Sequence, residues 1–70
     1  MGTKKPNPAQ LDQLMTTQEV ADYLGTSKGT LEVDRYYGRG LPYVRFGRRI
    51  RYRASDIAAY LEANLVAGEA

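Results

Sequence analysis

The sequence predicts a mainly α fold that carries one two-stranded β-hairpin. Three observations predict it. Two short helical stretches meet across Gly25-Thr26-Ser27. An arginine-rich segment, Tyr43–Tyr52, alternates its residue types with period two. The stretch Asp56–Leu65 then returns to helical spacing.

The first helix is predicted over Thr17–Leu24. Thr16 and Glu19 form a capping-box pattern, and Val20, Ala21 and Leu24 recur on one face. Gly25 stands where a left-handed cap would end it. Thr26 or Ser27 caps a second helix with Lys28, Gly29 and Thr30 in its first turn. Leu31 points inward, and Tyr36 or Tyr37 closes the helix, with a place at a phosphate-binding rim equally open to them; Gly38, Gly40 and Pro42 stop it. In the hairpin, Val44 and Phe46 alternate with Tyr43 and Arg45, while Ile50 and Tyr52 alternate with Arg49, Arg51 and Arg53. Gly47 and Arg48 make the turn. The expectation is one apolar face packed on the helices and one arginine row. In the last helix, Ser55 or Asp56 complements the start, and Ile57, Tyr60, Leu61 and Leu65 share a face. Tyr52 and Tyr60 are expected in the core. The order helix, turn, helix, hairpin, helix is that of a small winged helix-turn-helix.

Seventy residues leave room for one small domain. Its limits are set at 14–65, after a flexible N-terminal tail over 1–13 in which Pro6 and Pro8 disfavour both helix and paired strand, and before a frayed end over 66–70. The absence of cysteine excludes disulfide and thiolate chemistry. The absence of histidine removes the commonest general base and metal ligand. Asp22, Glu32, Asp34 and Glu62 are scattered over predicted helix surfaces, so no catalytic residue, metal site or cofactor is expected. The apolar runs are too short for a membrane span or a secretory segment, which leads to the expectation of a cytoplasmic protein with no membrane partner.

Charge is distributed unevenly. Six of the ten lysines and arginines lie between Arg39 and Arg53, a stretch without a carboxylate that carries +6. The other fifty-five residues hold four basic and eight acidic groups, a net −4. A field this local points to phosphate as the ligand.

The segments MTTQEVADYLGTS (15–27), TLEVDRYYGRGLPYVRFGRRIRY (30–52) and SDIAAYL (55–61) resemble the MerR-like excisionase and AlpA-type DNA-binding domains. The resemblance covers about two-thirds of the chain, and the run G-x-G-x-P-x-x-x-x-G-R-R-x-R-Y is its most specific part. It departs from the family at Asp34, where an aromatic residue is common, and at Gly29, where a polar side chain often reaches DNA. These departures imply a difference in the packing or length of helix two, and the replacement of one base contact by close backbone approach or other residues.

The resemblance implies a winged helix-turn-helix that binds double-stranded DNA. Thr26, Ser27, Lys28, Gly29 and Thr30 lie at the exposed start of helix two, where a helix in the major groove meets base edges, and Arg35 reaches phosphate. In the wing, Arg48 at the tip, next to Gly47, suits the minor groove, and Arg45, Arg49 and Arg51 clamp phosphates. Arg39, Tyr43 and Arg53 are further phosphate contacts. The function implied is that of an excisionase (a recombination directionality factor) on a mobile genetic element in a bacterial cytoplasm, associated with the nucleoid. Such a protein binds repeated sites beside an attachment site, bends the DNA and steers an integrase toward excision. The acidic remainder of the domain, facing a neighbour's arginine wing, gives an electrostatic reason to expect head-to-tail self-association on DNA. An AlpA-type transcriptional regulator uses the same surface. An RNA- or protein-binding adaptor is the reading from another class; the deep, narrow major groove of RNA would exclude the recognition helix.

Overall fold

The computed structural model describes residues 12–67. Its elements run β1 (Leu14–Met15), α1 (Thr17–Leu24), α2 (Lys28–Tyr36), β2 (Val44–Phe46), β3 (Arg49–Arg53) and α3 (Ala54–Ala63). Three helices and a small antiparallel sheet make the winged helix-turn-helix that the sequence predicts. The sheet order is β1-β3-β2, so β1 adds a third strand to the expected two. A two-residue strand carries too little alternation to be read from sequence. It forms because Leu14 and Met15 pair with Arg53 and Tyr52. Asp12 and Gln13, assigned above to the tail, are tied down by the same route. The Ala54 N–H donates to Gln13 O (2.9 Å) and the Ser55 hydroxyl to Asp12 Oδ2 (2.7 Å). The remainder of the predicted tail, 1–11, and positions 68–70 lie outside the described residues.

Local chemistry sets the helix ends. The Glu19 N–H donates to Thr16 Oγ1 (3.1 Å) and the Thr16 N–H to Glu19 Oε1 (2.9 Å), completing the capping box of α1. Gly25 ends α1 at φ +74°, in the left-handed region that disfavours a side chain. Ser27 then caps α2 by accepting the Thr30 N–H at 3.1 Å, so α1 and α2 are joined by three residues. α3 starts earlier than expected, at Ala54. Arg53 occupies the cap position without a side-chain cap bond, and Asp56 lies in the first turn.

The core consists of Val20, Ala21, Leu31, Leu41, Tyr52 and Ile57, with Met15, Leu24 and Ile50 packed against it. Leu41 enters it from the loop after α2, a residue without periodic neighbours to announce it. Tyr36 is 82% exposed and Tyr37 also faces solvent; the two rings meet edge to face at 5.0 Å. Three expected core contributors, Tyr60, Leu61 and Leu65, stay out. On α3 only Ile57 is buried, while Tyr60 and Leu61 are exposed; Leu65, expected on the same face, lies beyond the helix end at Ala63 and is exposed too.

The partly buried guanidinium of Arg35 ties the layers together. Its Nη1 donates to Tyr52 Oη (2.6 Å) and Thr17 Oγ1 (3.2 Å), joining α2 to β3 and α1. At the end of α2, Asp34 holds Arg39 at 3.0 Å, and a Cβ at Gly40 (φ +86°) would stand 3.1 Å from Asp34 Cβ. The loop therefore folds back over Asp34.

Two outcomes follow for urea unfolding. Tyr52→Phe removes the shorter of the two acceptors of Arg35 and is expected to cost about 1–3 kcal/mol with an unchanged denaturant slope. Gly40→Ala places a Cβ against Asp34 at a positive φ and is expected to cost more than about 1 kcal/mol. A stability equal to wild type in either variant would contradict this packing.

Candidate nucleic-acid interface

The hairpin positions its arginines through its register. Val44 pairs with Arg51, Arg45 with Ile50 and Phe46 with Arg49 around the two-residue turn Gly47-Arg48. Of the two turn residues only Gly47 has positive φ (+63°), the pattern of a type II′ turn. Directly opposed residues of an antiparallel pair share a face. Ile50 and Tyr52 therefore share the core face with Tyr43 and Arg45, while Val44 and Phe46 lie with Arg49, Arg51 and Arg53. This corrects the expected separation into an apolar face and an arginine row. Each arm alternates as read, but the turn sets the two alternations out of phase, and only a register shifted by one residue would bring the apolar sets together. Phe46, 44% exposed, instead carries the Arg51 guanidinium 5.9 Å over its ring. Arg45 lies over Tyr43 at 6.0 Å.

β1 covers β3 only at Tyr52 and Arg53, so the edge of Arg49–Arg51 remains open. That edge, one face of α2 and the start of α1 enclose a polar groove of about 330 Å³. Lys28, Glu32 and Arg35 line it from α2, at i, i+4 and i+7; Arg48, Arg49 and Arg51 line it from the wing. Thr16, Thr17 and Gln18 close the third side. The groove thus unites five of the predicted site residues: Lys28, Arg35, Arg48, Arg49 and Arg51.

The remaining predicted residues lie elsewhere. Ser27, Gly29, Thr30 and Arg39 line a shallower depression on the other side of α2, with Val33 and Asp34. The Ser27 and Thr30 hydroxyls bond each other at 2.8 Å, and a Cβ at Gly29 would stand 3.9 Å from Ser27 Oγ, an ordinary contact. Thr26 is exposed before the cap, its N–H donating to Ala21 O at 2.9 Å. Tyr43 sits at the rim of the core between Arg35, at 5.7 Å, and Arg45, its ring tilted against Tyr52.

Three arginines are already engaged. Arg35 is the internal tie described above, bonded through Nη1 to two neutral hydroxyls while it also lines the groove. Arg39 is held by Asp34 and lies 5.2 Å over the Tyr37 ring. Arg53 makes a two-pronged pair with Asp56, at 2.7 and 2.9 Å. The hydrogen bond to Asp56, and then its charge, raise the pKa of Arg53 above the ordinary arginine value. Arg48 and Arg49, by contrast, are exposed and have no ion-pair partner among the described residues.

Glu32 and the start of α1 are the groove residues that sequence reasoning missed. The i, i+4 spacing of Lys28 and Glu32 was the available signal. Nothing in the sequence announced that Thr16–Gln18 would stand beside the wing, because that contact follows from the β1–β3 pairing. Among the described residues, no three carboxylates gather at metal-binding distance, and no described helix is long and apolar enough to cross a membrane.

Comparison with known proteins agrees with this architecture. No curated protein and no solved structure matches the chain. A family model described as a helix-turn-helix domain matches residues 14–65, which span every element from β1 to α3. The chain belongs to that helix-turn-helix family of DNA-binding domains.

Proposed function

We propose that the protein is a sequence-specific duplex-DNA-binding excisionase. The convergence of α2 and the wing on one groove carries this reading. The N-terminal half of α2 enters the major groove, which admits a single helix. Ser27, Lys28 and Thr30 meet base edges, and Gly29 lets the backbone approach. Arg48 and Arg49 at the tip reach the adjacent minor groove or its phosphates, with Arg51 and Arg45 behind them.

Glu32 refines the reading. It is a carboxylate in a groove lined by cations, without an ion pair to any described residue. A carboxylate facing phosphate would be repelled. One facing the major groove accepts from an exocyclic amine, above all cytosine N4.

Excision is the role implied by the resemblance. Copies bind repeated sites beside an attachment site, bend the DNA and direct an integrase, in a bacterial cytoplasm at the nucleoid. A single compact reading head buries little surface, so adjacent copies supply affinity through avidity. Arginine wings facing the acidic remainder of a neighbour give a head-to-tail order. An AlpA-type regulator would bind DNA alike. It is separated by a recombination assay with a cognate integrase, where an excisionase raises excision over integration and a regulator changes neither.

The founding measurement is anisotropy on a duplex of about 30 base pairs across a salt series. A steep salt slope is expected, shallower by about one unit for Arg48→Ala. Arg53→Ala is expected to keep the wild-type slope and lower the melting temperature, since Asp56 already holds that guanidinium. Absence of binding at low salt would overturn the duplex reading. Selection from a random duplex pool should further give Glu32→Gln a changed preference at one base pair, a discrimination of about 1–3 kcal/mol. An identical motif for both proteins would remove Glu32 from base reading.

A further inference from the structure

A second groove shares no residue with the first. It has a volume of about 340 Å³ and runs between α1 and α3, lined by Met15, Tyr23, Ala54, Ile57, Ala58 and Leu61. All six are apolar or aromatic. Tyr23 is 66% exposed and Leu61 41%, so large apolar surface stands open to water. Ala54 and Ala58 lie one turn apart on α3 and lower the floor of the groove, which allows another helix the close approach of packed helix pairs. The ten residues of α3 give it a length of about 15 Å, matching nearly three turns of such a helix.

The charge on the two helices is of one sign. Neither α1 nor α3 contains a lysine or arginine, and together they carry Glu19, Asp22, Asp56 and Glu62. Arg53, at the cap of α3, pairs with Asp56, which leaves Glu19, Asp22 and Glu62 without an ion-pair partner among the described residues. Glu19 stands one helical turn before Tyr23 and Glu62 one turn after Ala58, so carboxylates flank the apolar floor from both helices. We infer that this groove docks an amphipathic helix of a partner protein, one whose apolar stripe is flanked by lysine or arginine.

Charge complementarity selects this occupant over a second copy of the chain. A two-fold pairing through the same groove would set Glu19, Asp22 and Glu62 against their own counterparts, and like charges juxtaposed across an interface are costly. The patch is also smaller than the roughly 800 Å² per partner of a standard interface, which makes the contact a transient one. The inference does not depend on the DNA reading: failure of duplex binding would leave it standing.

The test is a displayed library of helical peptides about four turns long, panned on the intact protein. The apolar stripe is fixed at i, i+3, i+4 and i+7, and the flanking positions are randomised. Enriched peptides are expected to carry Lys or Arg flanks, to weaken with salt, and to lose about tenfold or more in affinity for Ala58→Arg. Ala58→Arg should keep the wild-type far-UV circular dichroism and a cooperative thermal transition, which report that it is folded; Leu61→Gln serves as a second groove variant if it does not. Acidic or neutral flanks, indifference to both variants, or no enrichment over the groove variants would overturn the inference. So would a concentration-dependent shift of the Tyr23 and Ala58 amide resonances without peptide, which would make a second copy the occupant.

Discussion

Tyr52 is the constraint on which the rest of the molecule depends. Its ring is almost fully buried, at 1% exposure, and its hydroxyl takes the guanidinium of Arg35. A buried phenol requires a partner, and a partly buried guanidinium requires acceptors, so each is acceptable only in the presence of the other. The same guanidinium reaches Thr17 on α1, and the backbone around Tyr52 pairs with Met15 on β1. One residue thus sets the position of the recognition helix relative to the wing. The groove between them is set by a contact in which Arg35 both ties the layers and lines the wall.

This arrangement divides the arginines into two kinds. Arg35, Arg39 and Arg53 maintain the fold: one ties the layers, one clasps the loop after α2, and one anchors the start of α3. Arg48 and Arg49 have no ion-pair partner among the described residues, at the end of a turn that glycine makes accessible. The high positive charge of the 39–53 segment is thereby partly neutralised by Asp34 and Asp56 and concentrated at the wing tip and along the open edge of β3. A chain without Asp34 and Asp56 would present a more diffuse field.

Much of the fold was legible in the sequence because its signals are local. The capping box at Thr16, the left-handed Gly25 and the period of the hairpin arms each act within a few residues, and each matches the structure. Non-local outcomes were less legible. The phase between β2 and β3 depends on how the turn closes, so the alternation of each arm was correct while their shared face was not. Leu41 reaches the core by way of a loop, and β1 exists only through its partner. At the candidate site, the helix start and the wing tip were readable from residue type and spacing. The internal duty of Arg35 was not, because its acceptors lie 17 and 18 positions away in sequence. Glu32 was set aside as a surface charge, since only the folded groove places it among cations.

The arginine–ring contacts have a thermodynamic consequence. Arg39, Arg45 and Arg51 each rest over an aromatic ring in the folded domain. Fixing a long side chain at an interface costs about 0.5–1.5 kcal/mol of rotamer entropy. For these three, part of that ordering is accomplished during folding, before any ligand arrives. Arg48 and Arg49 have no ring beneath them, and their ordering falls entirely on the encounter. The body of the wing is therefore a preset template, while its tip carries the entropic cost of recognition and is where calorimetry of binding would find the ordering penalty.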